Sequence, residues 1–527
     1  VRGKRRMSLG NKFLNVVEKA GNKLPDPVFI FVWFILALVA VSVWAAGAGL
    51  SAVNPIDGKT LTAVSLLDPE NVRKLFLDMP KTLTGFAPLG YVLVVMLGAG
   101  VAERTGLFSA AMRQAVKGAP VKLLTPIIVF VAIVANHAAD AAYVVLIPLA
   151  GALYAAAGRH PIAGIAATFA GVSGGFSANI FPGHLDALLL GITEPAARLI
   201  DPTWTMNIAG NWWFIAAMTF VFVPIGWWVT DKIVEPRLGK WEPAATGPID
   251  LSSGDLSKAE KRGLFWAGVA ALLVVGLWVY LTVGPNPPFY NGDNPVPEER
   301  LTPFYQSLVA GFFVLFLLCG VFYGVAAGTV KSHRDVVRMT GQSMSDMGGY
   351  IVLAFVAAHF VAMFNWSNLG GILAINGAEA LKASGLPAFG LLAGIVVLAG
   401  LINLVIGSAS AKWAALAPIL VPMLMLLGIS PEMTTAAYRM GDSVTNIITP
   451  LMVYFPLVLT FCQRWKPEFG LGGLMAIMLP YSFWFLIFGV AMTAGWVYLE
   501  LPLGPGEGVA YTLPAQAPAA APAAPAG

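Results

Sequence analysis

From Ile406 the chain reads "IGSASAKWAALAPILVPMLMLLGISPEMTTAAYRMGDSVTNIITP", which sets Lys412, Arg439 and Asp442 among small and apolar residues. Such a cation can hold an anionic substrate, such an acid can carry a proton, and serine hydroxyls and backbone groups can donate to a carboxylate. Arg439 and Asp442 are three apart, so on a helix they share a face and can neutralise one another. The plain alternative is an ion pair that only braces the helix. Asn403, Ser408, Ser410 and Lys412 lie just upstream with Trp413, whose ring face suits an aromatic ring or a cation. The serines would equally let two helix arms pack closely.

A second polar constellation is "SGGFSANIFPGHLDALLLG", with Ser173, Asn179 and Asp186. Asp186 is a candidate for proton coupling, or a simple helix cap after Pro182-Gly183. Ser173, Asn179, Ser443 and Asn446 suit hydrogen bonding to a ligand, and Asn179 and Asn446 could offer oxygens to Na⁺. Their alternative role is to cap half-helices. In "NHAAD", His137 and Asp140 are two potential metal ligands without a third, so no metal is assigned and a buried, hydrogen-bonded histidine is expected. His359 reads as packing.

These side chains need elements that hold them at depth. Of 527 residues, 57% are hydrophobic and 11% charged, and the mean hydropathy is +0.74. That composition excludes a soluble domain and identifies an all-α polytopic membrane protein. A crossing takes about 20 apolar residues in a helix, which alone satisfies its backbone in lipid. Spans are predicted over 28–49, 85–102, 211–230, 263–283, 304–325, 349–364 and 471–499. Two further regions, 121–191 and 390–461, stay apolar but are interrupted by Gly, Ser, Asn, Pro and charged residues. The first span has no small-residue cleavage site behind it and reads as a retained helix.

Lys and Arg cluster in residues 1–27, in 104–122, in the linker 232–262, in "VKSHRDVVRM" and in "QRWKPE". These segments, and the N-terminus with them, are therefore placed in the cytoplasm. The net charge of +4 is a topology signal and implies no nucleic-acid partner. Neither Cys319 nor Cys462 implies a disulfide.

Sliding the chain by 270 positions aligns Pro148 with Pro418, Gly158 with Gly428, Pro161 with Pro431, Gly171 with Gly441 and Ser173 with Ser443. Three residues fewer brings Asn179 onto Asn446. The chain is thus read as duplicated: a first repeat over 28–231, a linker over 232–262, a connecting helix and external loop over 263–303, and a second repeat over 304–499. Residues 500–527, rich in Pro and Ala, are read as a disordered tail. Counting crossings from a cytoplasmic start makes 121–158 a re-entrant hairpin and 161–191 a broken helix. Their counterparts are a hairpin over 390–428 and a broken helix over 431–461, entered from the other side. About nine crossings, two hairpins and two broken helices in inverted repeats are the architecture of a secondary transporter with a midplane site.

The opening "LNVVEKAGNKLPDPVFIFVW", "NHAAD" with "SGGFSANIFPGHLDALLLG", and above all the stretch from Gly407 to Pro456 resemble the AbgT family of aminobenzoyl-glutamate transporters. The resemblance covers nearly the whole chain to about Leu499. It implies a homodimer in a bacterial inner membrane that handles p-aminobenzoyl-glutamate, a folate breakdown product, or exports sulfonamide antimetabolites on the proton motive force. The residues matching the family's site are Asp186, Asn403, Trp413, Pro431, Arg439 and Asp442. An aromatic amide bearing carboxylates suits a stacking Trp, Asn and Ser donors and an Arg.

The function expected is secondary active transport by alternating access, not catalysis, with no cofactor and with H⁺ as coupling ion. The alternative is a Na⁺-coupled importer of a small organic anion. A channel would use the same polar groups, but paired hairpins on opposite sides favour alternating access. An intramembrane hydrolase built on Ser408 or Ser410 lacks any signature linking nucleophile to base.

Overall fold

The computed structural model describes residues 27–53, 58–117, 119–138, 142–241, 255–294, 300–404, 406–449, 452 and 454–512. Residues 1–26 of the N-terminus, 242–254 of the linker, Asp140 and residues 513–527 lie outside that set.

In chain order the first half comprises α1 (Pro27–Gly47), a hairpin of β1 (Ser51–Val53) and β2 (Thr60–Thr62), α2 (Pro69–Leu77), α3 (Met79–Thr84), α4 (Ala87–Arg104) and α5 (Leu107–Val116). It continues with α6 (Leu124–Val134), α7 (Ile147–Ala156), α8 (Pro161–Phe169), α9 (His184–Ala197), α10 (Trp212–Val229) and α11 (Glu235–Leu238). A single helix, α12 (Lys258–Val283), leads into the second half. There follow α13 (Thr302–Ala327), α14 (His333–Asp346), α15 (Gly348–Trp366), α16 (Leu369–Ala383), α17 (Ala388–Asn403) and α18 (Ala409–Met425). The last three are α19 (Pro431–Val444), α20 (Phe455–Trp465) and α21 (Leu471–Tyr498).

Among the described residues six helices are long and apolar enough to cross a membrane: α1, α10 with α11, α12, α13, α15 and α21. The bent pairs α4/α5 and α16/α17 raise that number to eight if each is one span; the nine crossings expected from the sequence correspond to the six with α4 and the broken helices α8/α9 and α19/α20. The hairpins are α6/α7 and α17/α18. Six helices fall outside the predicted spans, the short α2, α3 and α11 and the longer α5, α14 and α16. α5 follows α4 at a 66° bend, and α16 precedes α17 at a 119° bend. α14 occupies the basic loop "VKSHRDVVRM" and the residues after it. Boundaries shift as well: α9 runs to Ala197 rather than Gly191, and α12 begins at Lys258, inside the predicted linker.

The duplication is visible in packing. Each broken helix opens on a proline at its first position, where the missing N–H costs nothing. Pro161 follows His160, whose Nδ1 accepts from Ile162 N at 3.2 Å, and Pro431 follows Ser430, whose Oγ accepts from Met433 N at 3.1 Å. Gly171 and Gly441 are equivalent and do the same work. A Cβ on Gly171 would lie 2.5 Å from Ala132 Cβ on α6, and one on Gly441 would lie 2.0 Å from Val396 O on α17. In both repeats the missing side chain lets the first hairpin arm press against the broken helix.

The two broken helices run antiparallel. The Trp465 end of α20 packs beside α7 and α8, where its indole Nε1 sits 3.2 Å from the position of a Gly151 Cβ. At the other end, beyond α9, Tyr511 OH donates to Asp201 Oδ2 (3.3 Å) while Tyr511 N donates to Gly428 O (2.8 Å), just ahead of α19. In the middle the breaks bond to each other: Ser177 N donates to Ser443 Oγ (2.9 Å) and Asn446 Nδ2 to Ser173 O (3.2 Å). The repeats are inverted.

The reading of residues 500–527 as a disordered tail is corrected over 500–512. Leu503 is fully buried, its carbonyl accepts from Trp213 N (2.9 Å), and Val509 O accepts from Ser430 N (2.9 Å). Backbone pairing, not composition, orders this segment.

Candidate functional site

The helix breaks release backbone polar groups at the centre of the fold, and the side chains there are already committed to one another. Asn403, the last residue of α17, donates from Nδ2 to Asp442 O (2.8 Å), Thr445 Oγ1 (2.9 Å) and Asn446 Oδ1 (2.8 Å). Its Oδ1 accepts from Lys412 Nζ. Asn136 plays the matching part in the first repeat, donating to Ile133 O (3.0 Å) and Gly175 O (3.3 Å). Each hairpin is thereby tied to the break of its own repeat.

Four charges lie within this frame. The expected neutralisation of Arg439 by Asp442 does not occur. Arg439 Nη1 donates to Asp186 Oδ1 at 2.7 Å, and Asp442 Oδ1 pairs with Lys412 Nζ. The i,i+3 spacing does put both residues on one face of α19, but α9 and α18 pack against that helix and supply nearer partners. All four are at most 8% exposed, so the charges balance only as two cross-element pairs. Asp186 also caps its own helix, Oδ2 accepting from Gly183 N at 2.8 Å. Arg439 keeps a spare donor: its Nε, like Ser177 Oγ, is buried without a partner.

Beside Asp442 is a cavity of about 220 Å³. Asn136, Tyr143, Phe176 and His184 of the first repeat line it, and Gly407, Asp442, Asn446 and Tyr454 of the second. Both hairpins and both broken helices thus contribute. Tyr143 and Tyr454 stack across the repeats, ring centroids 4.2 Å apart and planes 12° from parallel. Sequence reasoning missed both, although the 270-residue offset that aligns the prolines also brings Tyr143 onto Trp413.

The other sequence candidates fall around the cavity rather than on it. Trp413 is fully buried, stacks on Tyr438 at 4.3 Å and donates from Nε1 to Thr193 Oγ1 (2.8 Å). Pro431 lies at the far end of α19. Ser408 caps α18, accepting from Ala411 N (3.3 Å), with Ser410 Oγ 3.2 Å from its own. Ser443 Oγ bridges Ser177 N and Arg439 O, whereas Ser173 Oγ points to Met452 Sδ (3.6 Å).

Of the two proposed Na⁺ donors, Asn179 Oδ1 accepts from Ile180 N (2.9 Å) and Asn446 Oδ1 from Asn403. His137 Nε2 lies 3.2 Å from Pro182 O, tying hairpin to break. Among the described residues no three His, Cys, Asp or Glu side chains are placed to share a metal ion.

The lining offers the amides of Asn136 and Asn446, the Asp442 carboxylate and stacked phenols, with Lys412 paired to Asp442 from outside it, so an aromatic ligand fits and its carboxylate reaches a cation only by displacing an aspartate. At about 220 Å³ the cavity is smaller than the roughly 300–1,000 Å³ usual for drug-sized ligands, so it must widen to accept one.

Residues 12–511 match the family model described as "AbgT putative transporter family". Over 499 residues the chain is 35% identical to the p-aminobenzoyl-glutamate transport protein of Escherichia coli (strain K12), covering 95% of this chain and 97% of that one. Two solved structures are similar at 44% identity. The YdaH transporter of Alcanivorax borkumensis, described as having an unusual topology, superposes with a TM-score of 0.86 over 91% of this chain and 100% of its own. MtrF of Neisseria gonorrhoeae, described within a class of antimetabolite efflux pumps, gives 0.85 over 94% and 100%.

Proposed function

The chain belongs to the AbgT family of membrane transporters, and we propose that it is a proton-coupled secondary carrier of aromatic amides of the p-aminobenzoyl-glutamate class. The single observation that carries this reading is the cavity where both inverted repeats meet, walled by the Tyr143–Tyr454 stack and bordered by Asp442 with its partner Lys412. A substrate carboxylate would replace an aspartate as the partner of Lys412 or Arg439. That exchange is favoured when the displaced aspartate takes up a proton, because no charge is then buried unpaired.

The substrate's charge decides the direction of coupling. A carboxylate needs Asp186 or Asp442 protonated and so travels with the proton. A neutral aryl amine such as a sulfonamide competes with the proton for the same aspartate and is exchanged against it. The relative named for antimetabolite efflux favours the second use of the same cavity. The carrier would work as a homodimer in the inner membrane with its N-terminus in the cytoplasm, in keeping with the basic loops.

The test is accumulation of labelled p-aminobenzoyl-glutamate, and separately of a sulfonamide, in proteoliposomes under a pH or a Na⁺ gradient. Accumulation driven by the pH gradient and lost in Asp442→Asn supports the reading. Accumulation driven by Na⁺ alone overturns the proton coupling, and none under either gradient removes the substrate class.

A further inference from the structure

Outside the central site one acid has no visible role. Glu432, in the first turn of α19, is 1% exposed, and neither carboxyl oxygen has a hydrogen-bond partner. A carboxylate cannot remain ionised in such a place without a counter-charge. The charged groups around it are acids or already taken. Glu507 approaches from the C-terminal segment. Glu194 approaches from α9, where Arg198 pairs with it at 2.6 Å and Met206 N donates to it at 3.0 Å. Asp201 is bonded to Tyr511. The indole N–H of Trp204 faces Glu432 and is the nearest neutral donor to it, outside ordinary hydrogen-bond geometry. Gly210 marks how close the two acids are: a Cβ there would lie 3.3 Å from Glu432 Cγ and 3.8 Å from Glu507 Cγ.

Residues 503–511 form a strap over the turn that joins the second hairpin to its broken helix. Ser430 N and Oγ donate to Val509 O (2.9 Å) and Gly508 O (2.7 Å), and Tyr511 N donates to Gly428 O (2.8 Å). The matching turn of the first repeat is clamped quite differently. There Arg159 holds Asp231 (2.5 Å) and Glu235 from the segment after α10, so a fixed cation faces the acids. Among the described residues no cation pairs with Glu432 or Glu507 under the strap.

We propose that Glu432 and Glu507 form a proton-binding site that fastens the C-terminal strap, so that the strap closes with a proton taken up and opens with its release. Glu432 is buried and Glu507 half-buried, its Oε1 accepting from Asn207 Nδ2 at 2.8 Å; two carboxyls so close resist ionising together, and opening exposes both to water, where they do ionise. Burial raises Glu507 from its ordinary 4.5 to about 7. A raised value in the closed state means that closure is fully favoured below 4.5 and weakens as pH rises toward about 7.

The experiment is hydrogen exchange of the full-length protein in nanodiscs between pH 5 and 8, corrected for the chemical exchange rate and read on peptides covering Leu503–Tyr511. The expected protection falls about tenfold per pH unit up to neutrality, one proton being released per opening. Glu432→Gln and Glu507→Gln should each flatten that slope. A flat wild-type profile overturns the proposal, and it needs no variant to fold. A slope unchanged in both variants overturns it as well. Substrate plays no part in the readout, so this outcome is independent of the transport assignment.

Discussion

Removing one partner of the Asp186–Arg439 pair should damage the protein more than removing both. At 2.7 Å and an effective dielectric of about 20, the attraction is roughly 6 kcal/mol. Desolvating each ion costs several kcal/mol. The pair therefore nearly cancels, whereas a single buried charge keeps its penalty and loses its compensation. Arg439→Met alone, or Asp186→Asn alone, is expected to cost about 3–5 kcal/mol. Asn at 186 keeps an oxygen to accept from Gly183 N, which isolates the charge from the cap. The double variant Asp186→Asn/Arg439→Met leaves no charge unpaired and should lie within about 2 kcal/mol of wild type, a coupling of about 4 kcal/mol or more. The assay is reversible unfolding by SDS in mixed micelles, with transport by the same preparations. The double variant should be folded and inactive. Additive losses in the cycle, or single variants as stable as wild type, would refute the reasoning that these charges exist in the fold only as a pair.

Further outcomes follow from the geometry. Gly441→Ala must displace Val396 O, 2.0 Å from the new methyl, and should largely abolish folded protein on fluorescence-detected gel filtration. Gly394→Ala on α17, with nothing within 4 Å, should be neutral or gain up to about 1 kcal/mol. Opening the tyrosine stack with Tyr454→Leu should weaken p-aminobenzoyl-glutamate binding in a calorimetric titration by roughly 2- to 13-fold, the worth of an aromatic pair at about 0.5–1.5 kcal/mol.

Much of this architecture is legible in the sequence, because lipid imposes hydropathy on every crossing and glycine marks every break. The depth of Asp186, Lys412, Arg439 and Asp442 follows from their neighbours, but their pairing does not. The i,i+3 rule sees only α19, whereas the true partners come from α9 and α18. Tyr143 hides in an ordinary apolar run, and only the repeat could have pointed to it. Glu432 looks like a common first-turn acid at a helix N-terminus. It is buried by a strap some 75 residues later in the chain. α14 escaped because its face is polar, although Ser332 and Asp335 three residues on are a helix-start signature.

α12 buries only 17% of its apolar window, the least of the six long helices, yet it decides the parity of the whole chain. Each repeat holds four crossings, α1, α4, α8/α9 and α10 in the first and α13, α15, α19/α20 and α21 in the second, while the hairpins return to the side they entered. An even number brings the chain back where it began, so two copies fused directly would stand the same way up. One added helix turns the second copy over and lets the two breaks meet head to tail. A half-length ancestor without it would have had to insert into the membrane in both orientations and pair with its own inverted copy. Gene fusion through a single extra crossing makes that arrangement permanent.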